Sequence, residues 1–311
     1  MSAILNLTLP FFALVGLGYF AAWRHWLPEN GVRSINVFAF NFAMPALVIN
    51  ALARQDAEAL FNGPFLVGWL LAALALFGLG AIVAKVLFGA SRAEMALFGQ
   101  ASAIGNLGFL ALPLLIAAVG SEVAAPVSAA LIIDLVIIIP LSIAILESAK
   151  GEGGSAAKAV GNALKGAVKN PFFIAIAIGV FLAVSGIGLP GATSTFIAFL
   201  AGAAGPAALF TLGASLAGRP TGSDWATIGA MSVFKLLVHP IVVAVSLTLM
   251  GVDGLFLAVG IVLSAMPIAG NVFVIAEAYG TMVRRLATAI LISTIIAVVT
   301  VAAALEWVGL A

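Results

Sequence analysis

Two asparagines, Asn106 and Asn271, stand among prolines and glycines in stretches that are otherwise apolar enough to lie in a membrane. Residues 99–119 (GQASAIGNLGFLALPLLIAAV) are interrupted by Gly105, Asn106, Gly108 and Pro113, and residues 261–278 by Pro267, Gly270 and Asn271. A helix broken at membrane depth leaves backbone N–H and C=O groups that lipid cannot satisfy, so such breaks persist only against protein or a water-filled cavity. Interrupted segments at corresponding places in two halves of a chain point to a transporter binding site. The chemistry on offer is anion recognition. An asparagine amide is a neutral donor, and the freed N–H groups of a half-helix start add partial positive charge. Together they suit a carboxylate without burying a permanent cation, so the anion can also leave. Each Asn could instead satisfy its own broken backbone; the occurrence at both breaks favours a ligand.

A second set is ionisable. Asp134, Lys235 and His239 lie inside apolar runs, and Lys235 and His239 are four residues apart, on one helical face. Ionisable groups inside a membrane are costly and tend to pair. Asp134 facing Lys235 and His239 is therefore either a static ion pair or a proton-coupling or gating site, histidine being the side chain that ordinarily titrates near neutral pH. Asn41, in one run with Pro45 and Asn50, is a candidate for lining the pathway, with hydrogen bonding to a neighbouring helix as the alternative. Pro45 and Pro206 are expected to kink their helices. Glu277 falls about 15 Å beyond Pro267 if the intervening residues are helical, and reads as an interfacial acid.

The scaffold for these residues can be read from composition. With 64% hydrophobic and 8% charged residues in 311, and a mean hydropathy of +1.26, the chain is an all-α multi-span membrane protein. Apolar runs of about 20 residues fall near 4–22, 33–52, 64–88, 95–119, 123–146, 171–189, 194–217, 225–250, 255–280 and 285–306, predicting ten transmembrane helices. The first run has Arg24 and Arg33 after it and no basic residue before it, the reverse of a signal peptide, and is expected to remain as a span. Turn residues mark the short joins, as in 27–31 (LPENG) and 218–222 (GRPTG).

Of 13 Lys and Arg, 11 fall in the loops after odd-numbered runs (Arg24, Arg33, Lys85, Arg92, Lys150, Lys158, Lys165, Lys169, Arg219, Arg284, Arg285), Arg54 lies opposite and Lys235 lies within a run. This bias puts those loops in the cytoplasm and both termini outside it. The longest connection, 148–170, is rich in Gly, Ala and Lys, with Lys158, Lys165 and Lys169 on one helical face; it reads as a solvated or interfacial linker, with lipid binding or regulation as the lesser option. It separates residues 1–147 from 171–311, five runs each, and an odd number per half allows the halves to be inverted repeats. MPAL at 44–47 answers GPAAL at 205–209, and Pro113 answers Pro267.

Six motifs in order, GYFAAWRHWLPENGVRSINVFAFNFAMPAL (18–47), GNLGFLALPL (105–114), KNPFFIAIAIG (169–179), GPAALFTLGASL (205–216), FKLLVHP (234–240) and MPIAGNVFVIAEAYG (266–280), make the whole chain resemble the auxin efflux carrier family. That family includes plant auxin carriers and bacterial permeases associated with malonate or malate. The resemblance implies two inverted five-helix repeats, a scaffold from helices 1, 2, 6 and 7, and a transport domain from helices 3–5 and 8–10. It further implies that helices 4 and 9 cross at their prolines, with an asparagine near each crossing helping to hold a carboxylate. The matching positions are Asn106, Pro113, Pro267 and Asn271, with Gly108 beside them. The short 148–170 linker is similar to that of bacterial members, which implies residence in a bacterial inner (plasma) membrane.

The expected function is thus secondary transport of a small organic anion such as malonate, malate or an auxin-like acid, one domain moving past the other in an elevator-type cycle. Proton or sodium coupling is left open. A sodium-coupled symporter of the bile acid type, which has related architecture, is the alternative, although 264–271 lacks the acid such proteins place there. An enzyme is not expected: HExxH, GxSxG, GxxxxGK[ST] and clustered aspartates are all missing. A receptor that binds without transporting ranks below the carrier, since broken helices at membrane depth are costly unless they line a cavity. With no cysteine, thiolate chemistry is excluded; no cofactor, metal or nucleic-acid partner is expected. The small residues 202–205 permit a homodimer without demanding one.

Overall fold

In a computed structural model, the described residues are 2–28, 30–55, 60–149, 156–217 and 224–310. Lys150 and Arg219 of the charge argument, and turn residues Glu29 and 218–222, lie outside them. Thirteen helices occur among the described residues: α1 (Ser2–Trp23), α2 (Gly31–Leu52), α3 (Gly63–Phe88), α4 (Arg92–Ala103), α5 (Leu107–Ala118), α6 (Ser121–Ala149), α7 (Ala156–Val168), α8 (Pro171–Ser185), α9 (Gly191–Leu216), α10 (Trp225–Leu249), α11 (Gly254–Ser264), α12 (Gly270–Tyr279) and α13 (Val283–Trp307).

Six of them, α2, α3, α6, α9, α10 and α13, are each long and apolar enough to cross a membrane. The bent pair α7 and α8 would make a seventh. Runs 95–119 and 255–280 do not form single helices; each divides at its Gly, Asn and Pro residues, into α4 and α5 and into α11 and α12. The run expected over 171–189 ends early as α8, because Gly186 and Gly188 turn left-handed (φ 67° and 65°).

Prolines inside helices leave a regular mark. Before Pro45, Pro113, Pro140 and Pro240 the helix widens into a five-residue π turn, at Ala39–Ala43, Leu107–Ala111, Asp134–Ile138 and Phe234–Val238. In all four the residue preceding the proline donates its N–H to the carbonyl five residues back: Met44 to Ala39, Leu112 to Leu107, Ile139 to Asp134 and His239 to Phe234. Proline supplies no N–H and its ring collides with the carbonyl four residues earlier, so the wider turn relieves the clash. Pro10 in α1, Pro126 in α6 and Pro206 in α9 have no such turn.

Two sets of helices pack together. α1 lies on α9, α9 on α2 and α2 on α8; α3 packs on α4 and α10, α4 on α6, α10 on α11 and α13, and α12 on α13; the two sets touch where α1 meets α13, α9 meets α5 and α2 meets α6. Side chains such as Phe65, Trp69, Leu76 and Phe98 fill the second set, while Val86, Phe199, Ile241 and Leu249 point outward, as lipid-facing residues do. Without a hydrophobic drive between helices in lipid, close approach matters most. Gly18 and Gly213 provide it between α1 and α9: a Cβ on Gly213 would fall on the Val15 carbonyl, and one on Gly18 on the Phe210 carbonyl. Of the small residues 202–205, Ala204 is buried and Gly205 faces Pro113, so part of that stripe packs inward.

Candidate functional site

The two broken segments meet. Asn106 N–H donates to the Pro267 carbonyl (2.9 Å) and Ala269 N–H to the Ile104 carbonyl (3.4 Å), with Gly105 opposite Ile268 in an antiparallel bridge. Ile268 N–H is taken by Ser293 Oγ of α13 at 3.2 Å. This strand-like contact gives the breaks internal partners for several groups that lipid would leave unsatisfied. Gly105 is closely packed: a Cβ there would stand 3.1 Å from Lys235 Nζ and 3.2 Å from the Leu263 carbonyl.

Two helices begin at the bridge, α5 just after Asn106 and α12 at Gly270, and neither carries a side-chain cap. Among the described residues, the N–H groups of Gly108 and Phe109 at one start, and of Gly270 and Asn271 at the other, donate to no protein acceptor. The Asn106 side chain is nearly buried (5% exposed) and that of Asn271 is open; neither amide forms a hydrogen bond among the described residues. Each asparagine therefore holds unused donors beside unused backbone donors, at the positive end of a helix. That is an arrangement for an anion.

The surrounding wall is apolar and tight. Gly108 lies against Phe172 of α8, where a Cβ would come within 2.9 Å of the ring. Phe40 of α2, Phe109 of α5 and Phe172 form one aromatic group, with centroids 5.9, 5.4 and 6.4 Å apart. Pro113 contacts α9 at Gly205, and Pro267 contributes its carbonyl to the bridge. Asn41 is turned to its own helix, its amide donating to the Val37 carbonyl (2.9 Å), and Asn50 Oδ1 accepts from Arg54.

Behind the bridge lies the ionisable group. Lys235 is fully buried; its Nζ donates to the Ser264 carbonyl (2.7 Å) and contacts His239 Nδ1 (2.8 Å). Ser264 closes α11, so the ammonium sits on the negative end of that half-helix. Asp134 is also buried, within electrostatic reach of Lys235 and beside the Trp69 indole, yet neither carboxylate oxygen makes a hydrogen bond of full geometry. His239 Nε2 and Trp69 Nε1 are likewise buried without partners, the two rings 5.9 Å apart. The three ionisable residues thus come together, and Lys235 touches the crossing itself.

Ser264, Ser293 and Trp69 join the site without a signal strong enough to single them out in the sequence. A lone serine in the apolar run 285–306 is the available hint of Ser293; Ser264 acts through its carbonyl, which any residue type supplies.

A separate polar cluster closes the far end of α4. Arg285 bridges Glu94 (2.9 Å) and Asp224 (3.0 Å) beside a cavity of about 300 Å³ that Phe88 and Phe98 also line. Ser91 and Glu94 form a reciprocal helix cap, and the Ser91 N–H, outweighing partial burial, holds the Glu94 carboxyl below its usual range, with Arg285 adding to the effect. At the end of α12, Tyr279 donates to Glu147 (2.6 Å). Glu277 is exposed.

Comparison with known proteins agrees with a membrane carrier. The family described as membrane transport protein matches residues 3–305. A Rhizobium meliloti (strain 1021) protein named "Putative malonate transporter" is 31% identical over 302 residues, covering 97% of this chain and 94% of its own length. The Escherichia coli (strain K12) protein named "Uncharacterized transporter YfdV" is 24% identical over 295 residues, 94% of this chain and 93% of its own. With a family match from end to end and a relative this similar over nearly its whole length, the chain belongs to the membrane transport protein family, the auxin efflux carriers.

Proposed function

We propose that the chain is a secondary carrier of a small dicarboxylate of the malonate class, held where α4–α5 crosses α11–α12. The observation that carries this is the pair of uncapped helix starts, each with free N–H groups and an asparagine amide that the protein leaves unused. Malonate offers one carboxylate to each start, and the name of the Rhizobium meliloti relative is consistent with that size. The ten apolar runs act as two inverted repeats. α3–α6 and α10–α13 move as one body past α1, α2, α8 and α9, in keeping with the two packing sets. Lys235 holds the carbonyl end of α11 in register so that the crossing travels intact.

The test is stabilisation of the purified protein by mono- and dicarboxylates, with and without sodium and at two pH values, followed by flux into vesicles. A hit is expected for a short dicarboxylate. Replacing Asn106 or Asn271 by alanine removes a hydrogen bond to a charged ligand, about 1.5–3 kcal/mol or 10- to 150-fold in affinity, while folding is spared because neither amide bonds to protein. Full affinity in both folded variants would remove the site; stabilisation by no carboxylate would remove the substrate class.

A further inference from the structure

The linker between the halves contains α7, whose side chains do not serve the crossing. Val160, Ala163 and Ala167 face the protein, and Ala167 is buried where α7 packs on α6. Lys158, Lys165 and Lys169 share the opposite face, all exposed. α7 contains no acidic residue, and among the described residues neither Lys165 nor Lys169 pairs with a carboxylate. On one flank of the lysines, Leu164 and Val168 are exposed at 37% and 57%. With Gly161 they wall a shallow cleft of about 380 Å³, and Lys165 and Lys169 stand at its edge. The chain then bends by 54° into α8, so α7 leaves the direction of the following helix.

An exposed apolar wall edged by unpaired ammonium groups is complementary to a molecule with a hydrocarbon chain and a phosphate. Amphipathic helices with this arrangement lie at the boundary of headgroups and acyl chains, and their lysines are attracted to anionic lipid. The wall argues against a soluble anion, which would gain nothing from Leu164 and Val168. We infer that α7 binds an anionic phospholipid of the cytoplasmic leaflet, its phosphate held by Lys165 and Lys169 and an acyl chain laid along Gly161, Leu164 and Val168. Gly161 is open: a Cβ there would meet nothing within 4 Å, which leaves the floor of the cleft free for the chain.

The experiment is native mass spectrometry of the full-length protein in detergent, titrated with phosphatidylglycerol or phosphatidylcholine of matched chains. Phosphatidylglycerol should be retained in preference. The Lys165→Gln/Lys169→Gln double variant should lose that retention by about thirty-fold, from about 1 kcal/mol for each lysine, and Lys165→Arg/Lys169→Arg should keep it. Gly161→Trp, which fills the cleft without touching charge, should weaken retention of phosphatidylglycerol and decides the matter alone if the double variant does not fold. Equal retention of the two lipids by the native protein, unchanged binding in the variants, or displacement of lipid by inorganic phosphate or malonate would overturn the assignment. Lipid retention is read without flux, so failure here leaves the carrier proposal standing, and failure of the carrier proposal leaves this one.

Discussion

Replacing Lys235 by methionine tests whether the buried charge group is a mutually dependent unit. Asp134 has no hydrogen bond to either oxygen, so Lys235 is the countercharge on which its ionised form depends, while Lys235 itself retains the Ser264 carbonyl and His239 as acceptors. Lys235→Met leaves the end of α11 without its donor and a buried Asp134 that must stay uncompensated or take up a proton, a loss of up to about 3–5 kcal/mol. Asp134→Asn leaves Lys235 with both acceptors and removes a charge that bonds to nothing, so it should cost about 1–2 kcal/mol. The double variant should then be more stable than Lys235→Met alone by about 2 kcal/mol, since the orphaned charge is gone. The assay is reversible unfolding in mixed micelles followed by helicity, with melting in nanodiscs as a check. In nanodiscs, about 2 kcal/mol should separate the two variants by several degrees. A double variant whose cost equals the sum of the single costs would refute the electrostatic dependence of Asp134 on Lys235.

Two further outcomes are expected from the packing. Gly213→Ala places a methyl group on the Val15 backbone carbonyl, which no rotamer can relieve, so α1 and α9 must separate at about 1–3 kcal/mol; melting should drop while dicarboxylate affinity at the crossing stays unchanged, and unaltered melting would refute the close approach. Glu94→Ala removes the reciprocal cap with Ser91, about 1 kcal/mol at neutral pH, with little more from the half-exposed bridge to Arg285. Because the Glu94 carboxyl is held below its ordinary 4.5, its charged form stabilises the fold above that value and the contribution fades as pH falls through the lowered one. The gap between native and variant melting should therefore shrink below pH 4.5, and a gap that widens there would refute it.

Much of the site is legible in the sequence because breakers announce themselves. Gly105, Asn106, Pro267 and Gly270 cannot continue an apolar helix, and both stretches divide where those residues stand. The same logic marks Asp134, Lys235 and His239, whose ionisable groups are too costly in lipid to stand alone. Contacts carried by backbone atoms are not legible. The bridge from Asn106 to Pro267 and the carbonyl of Ser264 depend on where two distant segments meet, and no side chain reports that. Asn41 shows the converse: its type and position suggest a pathway residue, yet its amide serves the Val37 carbonyl of its own helix.

That local bond has a cause which links the polar residues to one another. Asn41 stands four residues before Pro45, Lys235 five before Pro240, Asp134 six before Pro140, and Asn106 seven before Pro113. In each case a proline has widened the preceding turn, and the polar residue lies within that turn or immediately at its start. A π turn inserts one residue into the helix, which rotates the upstream segment by about 100° against the downstream one and loosens the carbonyls nearby. A polar side chain in an intact membrane helix meets a backbone already fully bonded. In these turns it meets loosened carbonyls, as Asn41 does, or is swung toward a neighbouring helix end, as Lys235 is toward α11. At Asn41, Asn106, Asp134 and Lys235 proline thus sets the register of the chemistry beside it, whereas Asn271, four residues after Pro267, owes its place to the break itself.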